Sequence, residues 1–341
     1  MASWRGIARI GILLVLSLAL PAQAAERPVF VGYFPAFKGL ARIAATPIEH
    51  YTHINIAFAN PDASGALVRD GKMTCMSGGA NGAVTVAELR DSAAKLRTRG
   101  AKVLLSTAGG VIPGCSGDWA ALMAGPAKET LLADLIAVVD AAGLDGVDID
   151  IEGALLTKID QAGNYTPFIA ALSGALKAKG KLLTVATASY QGGMIPVDSI
   201  RYFDLVMPMS YDMIGPSWGQ PGAEHSTYAQ AEIDVALWLA RGVAPERLAL
   251  GVPFYGYGFG KAAPGGGFNQ LFAAHGDSVL TADVIGNACA GCDYITFNSP
   301  ATLRRKAELA RARAGGVMVW EMTQDTQDQL LGRTIAGVLA N

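Results

Sequence analysis

The stretch Asp145-Gly146-Val147-Asp148-Ile149-Asp150-Ile151-Glu152 alternates acidic and aliphatic residues. On a β-strand successive side chains point to opposite faces, so Asp148, Asp150 and Glu152 share one face and Val147, Ile149 and Ile151 the other. In isolation this could be a strand with a solvated acidic side. Its surroundings decide otherwise. Short apolar, β-branched runs recur along the chain at 29–34, 52–58, 102–107, 146–151, 182–187, 205–209, 248–254 and 316–320. Between them lie helical patterns over 86–99, 127–142, 165–179, 228–241 and 300–314, and a last helix is expected over 326–339. Continuous apolar strands alternating with amphipathic helices form a parallel sheet covered on both faces, which leaves no wet face for the acids. Eight such units suit a (β/α)8 TIM barrel, usually about 250 residues plus loop insertions. The rival, a doubly wound open sheet, calls for a phosphate-binding G-x-G-x-x-G between strand and helix. Gly256-Tyr257-Gly258-Phe259-Gly260 has neither that spacing nor a following helix. Tyr257 to Asp293 reads as a loop-like, short insertion between strands seven and eight.

With Val147, Ile149 and Ile151 facing the helices, the three carboxylates face the barrel interior, stepping about 7 Å per pair toward its C-terminal mouth. No Lys or Arg stands nearby in sequence to compensate them, so their burial is costly. Carboxylates this close cannot all ionise near neutral pH, and at least one pKa must be raised. Glu152, last in the row, is where a protonated carboxyl would meet a substrate as general acid. The competing reading is a Mg²⁺ or Ca²⁺ site, since in-line carboxylates can hold a hard cation. Barrel metal sites usually draw ligands from several strands, and only Glu321, just past the eighth run, supports that option here. The expectation is no metal and no cofactor.

Composition narrows the function classes. Of 341 residues, 51% are hydrophobic and only 16% charged, which excludes a disordered or highly charged linker protein. A net charge of −2 offers no basic field for nucleic acid or anionic lipid. Arg5 and Arg9, the apolar run Ile10 to Leu20 and Ala22-Gln23-Ala24 read as a secretory signal peptide over 1–24, leaving 25–341 as the mature barrel. The protein is therefore expected to be secreted or periplasmic and free of the membrane after cleavage; a monomer is expected, although no residue pattern sets the oligomeric state. Export makes the four cysteines candidates for disulfides, with three pairings open. The favoured pairing is Cys289–Cys292 as a local clip and Cys75–Cys115 across two loops, ahead of a zinc site or a redox C-x-x-C.

Asp145-Gly-Val-Asp-Ile-Asp-Ile-Glu152 also matches the D-G-x-D-x-D-x-E signature of the family 18 glycoside hydrolases, which include chitinases, and the chain resembles that family over nearly its whole mature length. Further landmarks fall at strand ends in order: Gly32-Tyr33, Ala57-Phe58, Thr107-Ala-Gly-Gly110, Met209-Ser-Tyr-Asp212 followed by Gly215-Pro-Ser-Trp218, Gly251-Val-Pro-Phe-Tyr-Gly256 and Gly316-Val-Met-Val-Trp320. Thr107 replaces the family's usual Ser and keeps a hydroxyl. The resemblance implies substrate-assisted, retaining hydrolysis of glycans rich in N-acetylglucosamine, an exception to the two-carboxylate scheme. Glu152 would protonate the glycosidic oxygen and Asp150 would hold the acetamido N–H. Asp148 would share a proton with Asp150, and Tyr211 would position the acetamido oxygen. Trp320 would floor the reacting sugar, with Tyr33, Phe58, Met209, Asp212 and Trp218 lining the site. Blander roles exist: Trp320 as a barrel plug, Met209 as core filler, Trp218 as a cover for the mouth. Chitin or its oligomers is the favoured substrate, with peptidoglycan and N-glycans as alternatives sharing the 2-acetamido group. An insertion of about forty residues between strands seven and eight looks too short for a sizeable α+β domain, which implies a shallow, open groove. A non-catalytic lectin of this fold typically lacks the acid, and Glu152 is present.

Overall fold

Eight aliphatic runs close on one another as a parallel sheet. In the computed structural model, which describes Met1 and residues 28–341, they are β1 (Val29–Pro35), β2 (His53–Ala59), β3 (Lys102–Ala108), β4 (Gly146–Asp150), β5 (Leu182–Thr187), β6 (Leu205–Pro208), β7 (Ala249–Pro253) and β8 (Gly316–Trp320). Neighbours pair in sequence order from β1 to β6, and β8 lies between β7 and β1. Parallel bridges Val206–Leu248 and Met209–Gly251 bring β6 to β7 and complete the ring. The cleavage site and most of the leader read over 1–24 lie outside the described residues. No described helix is long and apolar enough to cross a membrane.

Alternation sorts the side chains into two cores. Val31, Tyr33, Ala57, Ala186, Met207 and Met318 belong to a small cluster inside the ring. Val147, Ile149 and Ile151 join the large cluster between sheet and helices. The outer layer comprises α1 (Val86–Thr98), α2 (Trp119–Ala124), α3 (Ala127–Ala141), α4 (Gly153–Gln161), α5 (Tyr165–Lys177), α6 (Tyr228–Ala240), α8 (Pro300–Arg313) and α9 (Leu330–Leu339), while α7 (Phe268–His275) belongs to the segment after β7. Capping sets several starts. Thr85 and Glu88 form a reciprocal capping box on α1, and Ser299 caps α8 ahead of Pro300. Between β5 and β6 the return is only a 3-10 segment, Val197–Tyr202.

Among the barrel strands, contact is closest at Gly316, which pairs with Val29 on one side and Ala249 on the other. A Cβ there would lie 1.9 Å from the Val29 carbonyl oxygen, which is backbone and cannot swing away. Gly316→Ala is therefore expected to cost about 1–3 kcal/mol in urea unfolding. An unchanged midpoint would show that the ring has slack at this seam.

The segment after β7 departs from the loop-like reading. Tyr255–Phe259, Gly265–Gly267, Val284–Gly286 and Tyr294–Thr296 form a four-stranded antiparallel sheet carrying α7, so the segment is long enough for a small folded insert. Tyr255, Tyr257 and Phe259 alternate with Gly256 and Gly258, a period of two. The glycines are needed for close approach: a Cβ at Gly256 would fall 2.5 Å from the carbonyl oxygen of Thr296 on the neighbouring strand, and one at Gly258 1.9 Å from that of Ala262 in the following 3-10 turn. A second insert, three strands within 68–85, precedes α1. The cysteines pair as Cys75–Cys115, joining this insert to the loop after β3, and Cys289–Cys292.

Candidate active site

At the deepest level of the barrel mouth, Asp148 is fully buried. Its Oδ2 accepts hydrogen bonds from Tyr33 Oη (2.7 Å) on β1 and Ser106 Oγ (2.7 Å) on β3; its Oδ1 accepts from Thr184 Oγ1 (2.6 Å) on β5. Ser106 and Thr184 are the direct register neighbours of Asp148, so the cradle follows from strand alignment. Burial raises this carboxyl's pKa, and the three hydroxyl donors pull it back.

Asp150 lies one pleat higher and is 3% exposed, and its Oδ1 has no hydrogen-bond partner among the described residues. Burial first, then the charges of Glu152 and Asp148, push its pKa well above the ordinary carboxyl range. Glu152 follows the end of β4 as the residue before α4 and is half-buried. Its pKa is lifted to about 7, chiefly by desolvation, with Asp212's charge adding and a hydrogen bond with Asp150 opposing. Gly110, after β3, leaves room for it: a Cβ there would sit 3.0 Å from Glu152 Oε1. The row can therefore keep a proton at the mouth near neutral pH, beside a buried oxygen lacking a donor.

Aromatic rings wall the same space. Trp320, ending β8, stacks on Phe58 of β2 with centroids 5.5 Å apart and meets the edge of Tyr33 at 5.6 Å. Met209 and Tyr211 pack with Trp320 against the interior cluster. Tyr211's hydroxyl lies 3.9 Å from Met318 Sδ, and burial with nearby carboxylates holds it protonated. Asp212 adopts a left-handed backbone (φ 61°) and accepts a hydrogen bond from Tyr255 of the insert. Trp218 is 47% exposed at the rim, its Nε1 donating to the Asp212 carbonyl oxygen at 2.9 Å and its ring edge-on to Tyr257.

All ten side chains singled out in the sequence thus lie in or around the C-terminal mouth. Asp148 makes its hydrogen bonds to hydroxyls, and none joins it to Asp150. Glu321, the residue that supported a metal reading, is buried against Lys38 and Thr323. Among the described residues no three His, Cys, Asp or Glu side chains converge as metal ligands would. Sequence reading passed over Ser106 and Thr184, whose signal was a hydroxyl at an inward position of an aliphatic strand. It also passed over Tyr255 and His225, which reach Asp212 only through the folded insert and the loop after β6.

The family model described as Glycosyl hydrolases family 18 matches residues 29–325. The GH18 chitinase ChiB from the chitin utilization locus of Flavobacterium johnsoniae superposes with a TM-score of 0.76 at 29% identity, over 92% of this chain and 94% of that one. Class V chitinase CHIT5b of Medicago truncatula is 28% identical over 247 residues, 60% of this chain and 65% of its own length. Nod factor hydrolase protein 1 of the same plant is 27% identical over 244 residues, 59% of this chain and 63% of its own. Each match thus spans less than two thirds of these two curated relatives.

Proposed function

Because the chain belongs to the family 18 glycosyl hydrolases, we propose that it cleaves β-1,4 bonds next to N-acetylglucosamine in chitin or chito-oligosaccharides, with the substrate's own acetamido group as nucleophile. The observation that carries this reading is the unpartnered, buried Oδ1 of Asp150 beside a carboxyl, Glu152, whose pKa is lifted to about 7. A buried acceptor without a donor is costly unless a ligand N–H completes it, and an acetamido group supplies one.

In the proposed cycle Glu152 gives its proton to the glycosidic oxygen while the acetamido carbonyl oxygen attacks the anomeric carbon. The bond to the leaving sugar breaks and an oxazolinium ion forms. Asp150 passes its proton to Asp148 beneath it and, as a carboxylate, holds the acetamido N–H and balances the positive charge. Tyr211 sets the carbonyl oxygen in line for attack, where positioning contributes most, and Trp320 floors the sugar's apolar face. Water then gives a proton to Glu152 and attacks the same carbon, breaking its bond to the acetamido oxygen and restoring the N-acetyl group, so two inversions leave the configuration retained. Met209, Asp212, Tyr33, Phe58 and Trp218 shape the surrounding cleft. On this reading the barrel, residues 25–341, works outside the cytoplasm as a monomer without metal or cofactor.

The acetamido requirement is testable directly. Mass spectrometry of digests should show chito-hexaose cut to short oligomers and a fully deacetylated hexamer left intact. Equal cleavage of both would remove the substrate from the nucleophile's role. Purified peptidoglycan in parallel identifies the preferred polymer.

A further inference from the structure

Away from the carboxylates, a lysine is buried whole. Lys306, on α8, is 0% exposed, and its ammonium donates to Ser226 Oγ (2.7 Å), Ser226 O (2.9 Å) and Asn298 Oδ1 (2.8 Å). No carboxylate among the described residues touches it. Burial pulls its pKa down to about 7, against the more distant charges of Asp283, Asp234 and Glu224. An ammonium held only by neutral oxygens is expensive to bury, so what it holds is informative.

Ser226 stands at the return of the loop 209–227, whose outward limb carries Tyr211 and Asp212. Its hydroxyl accepts from Lys306 and donates to the carbonyl oxygen of Ser210 at 2.7 Å. A protonated lysine has no lone pair, so the Ser226 hydrogen is directed to Ser210, the residue before Tyr211. Beside it the Met213 N–H donates to the His225 carbonyl oxygen at 3.0 Å, and His225 Nδ1 lies 3.6 Å from Asp212 Oδ1. Asn298, just past the insert, donates its Nδ2 to Ser226 O at 2.7 Å. The two limbs of the loop are thus knotted at one buried point.

We propose that Lys306 is a positioning residue for the acetamido-binding limb, fixing Tyr211 and Asp212 through the relay Lys306–Ser226–Ser210. The inference rests on the hydrolase reading above, and it assigns Lys306 no contact with substrate. Misplacing a catalytic group by about 1 Å from a distance can cost ~10²-fold in rate. Because Tyr211 acts on the attacking oxygen, the loss should fall on kcat rather than KM.

The test compares Lys306→Met, Ser226→Ala and the double variant with wild type on chito-tetraose, alongside thermal unfolding and hydrogen exchange across 209–227. Each single variant is expected to lower kcat by ~10-fold or more with KM within about threefold, and the double variant to lose no more than the worse single. Multiplicative losses, or a folded Lys306→Met with kcat within about twofold of wild type, would overturn the proposal. Should Lys306→Met not fold, Asn298→Ala opens the same knot and must show the same kcat loss. Exchange across 209–227 needs no activity. If wild type cuts no glycan the hydrolase reading fails, yet faster exchange in Lys306→Met still supports the tie and unchanged exchange refutes it.

Discussion

Glu152→Gln is expected to lower kcat on chito-hexaose by about 10²–10⁴, the usual worth of a positioned proton donor, while binding of the oligomer persists. Glutamine keeps the shape and removes the transferable proton. The wild-type pH profile should carry the same signature. Glu152 is held up to about 7 by burial, so the acid is protonated below that value, and kcat should fall as pH rises through it. The variant's residual rate should lack that limb. Initial rates from pH 4 to 9 on both proteins decide the matter. A wild-type rate that stays flat into alkaline solution, or a variant that keeps its alkaline limb, would take the proton from Glu152 and give it to another group.

What the sequence disclosed, and what it withheld, divides along physical lines. Strand β5 and strand β8 fall on their expected bounds because a parallel strand covered on both faces is written as an uninterrupted aliphatic run. The alternation of Asp148, Asp150 and Glu152 likewise fixes which face they share, since the strand period is two. Register across strands is not written locally. The hydroxyl cradle of Asp148 joins Tyr33, Ser106 and Thr184, which are 115, 42 and 36 residues away, and only barrel closure brings them together.

Two other departures have local causes. The last helix begins at Leu330 rather than Thr326: Asp325 accepts from the N–H groups of Leu331 and Gly332, and Gln329 turns left-handed (φ 56°) before the helix. An acidic cap working at a distance of six and seven residues gives no standard spacing to recognise. The glycine-rich segment 255–267 reads as loop because its glycines serve close strand approach, while the period-two aromatics Tyr255, Tyr257 and Phe259 carried the strand signal.

Asp150→Asn should separate function from stability. On activity, removing the carboxylate proposed to form opposite the oxazolinium, once its proton has passed to Asp148, is expected to cost on the order of 10²–10³ in kcat, the scale seen when one preorganised electrostatic partner of a developing charge is lost. On stability the sign reverses. Burial and two neighbouring carboxylates hold the folded pKa of Asp150 well above the ordinary value, so the native state keeps a proton that the unfolded chain releases from about pH 4 upward. Wild-type stability must then decline as pH rises across that window. Asparagine cannot ionise and carries no such penalty. The variant should therefore melt higher than wild type at pH 7–8, with the gap closing toward pH 4. Calorimetry at both ends of the range, beside kcat on chito-hexaose, tests the two halves independently. A melting gap of the same size at pH 4 and pH 8 would remove the raised pKa, and a kcat within tenfold of wild type would remove Asp150 from charge stabilisation, since an amide can still hold the substrate but cannot balance its positive charge.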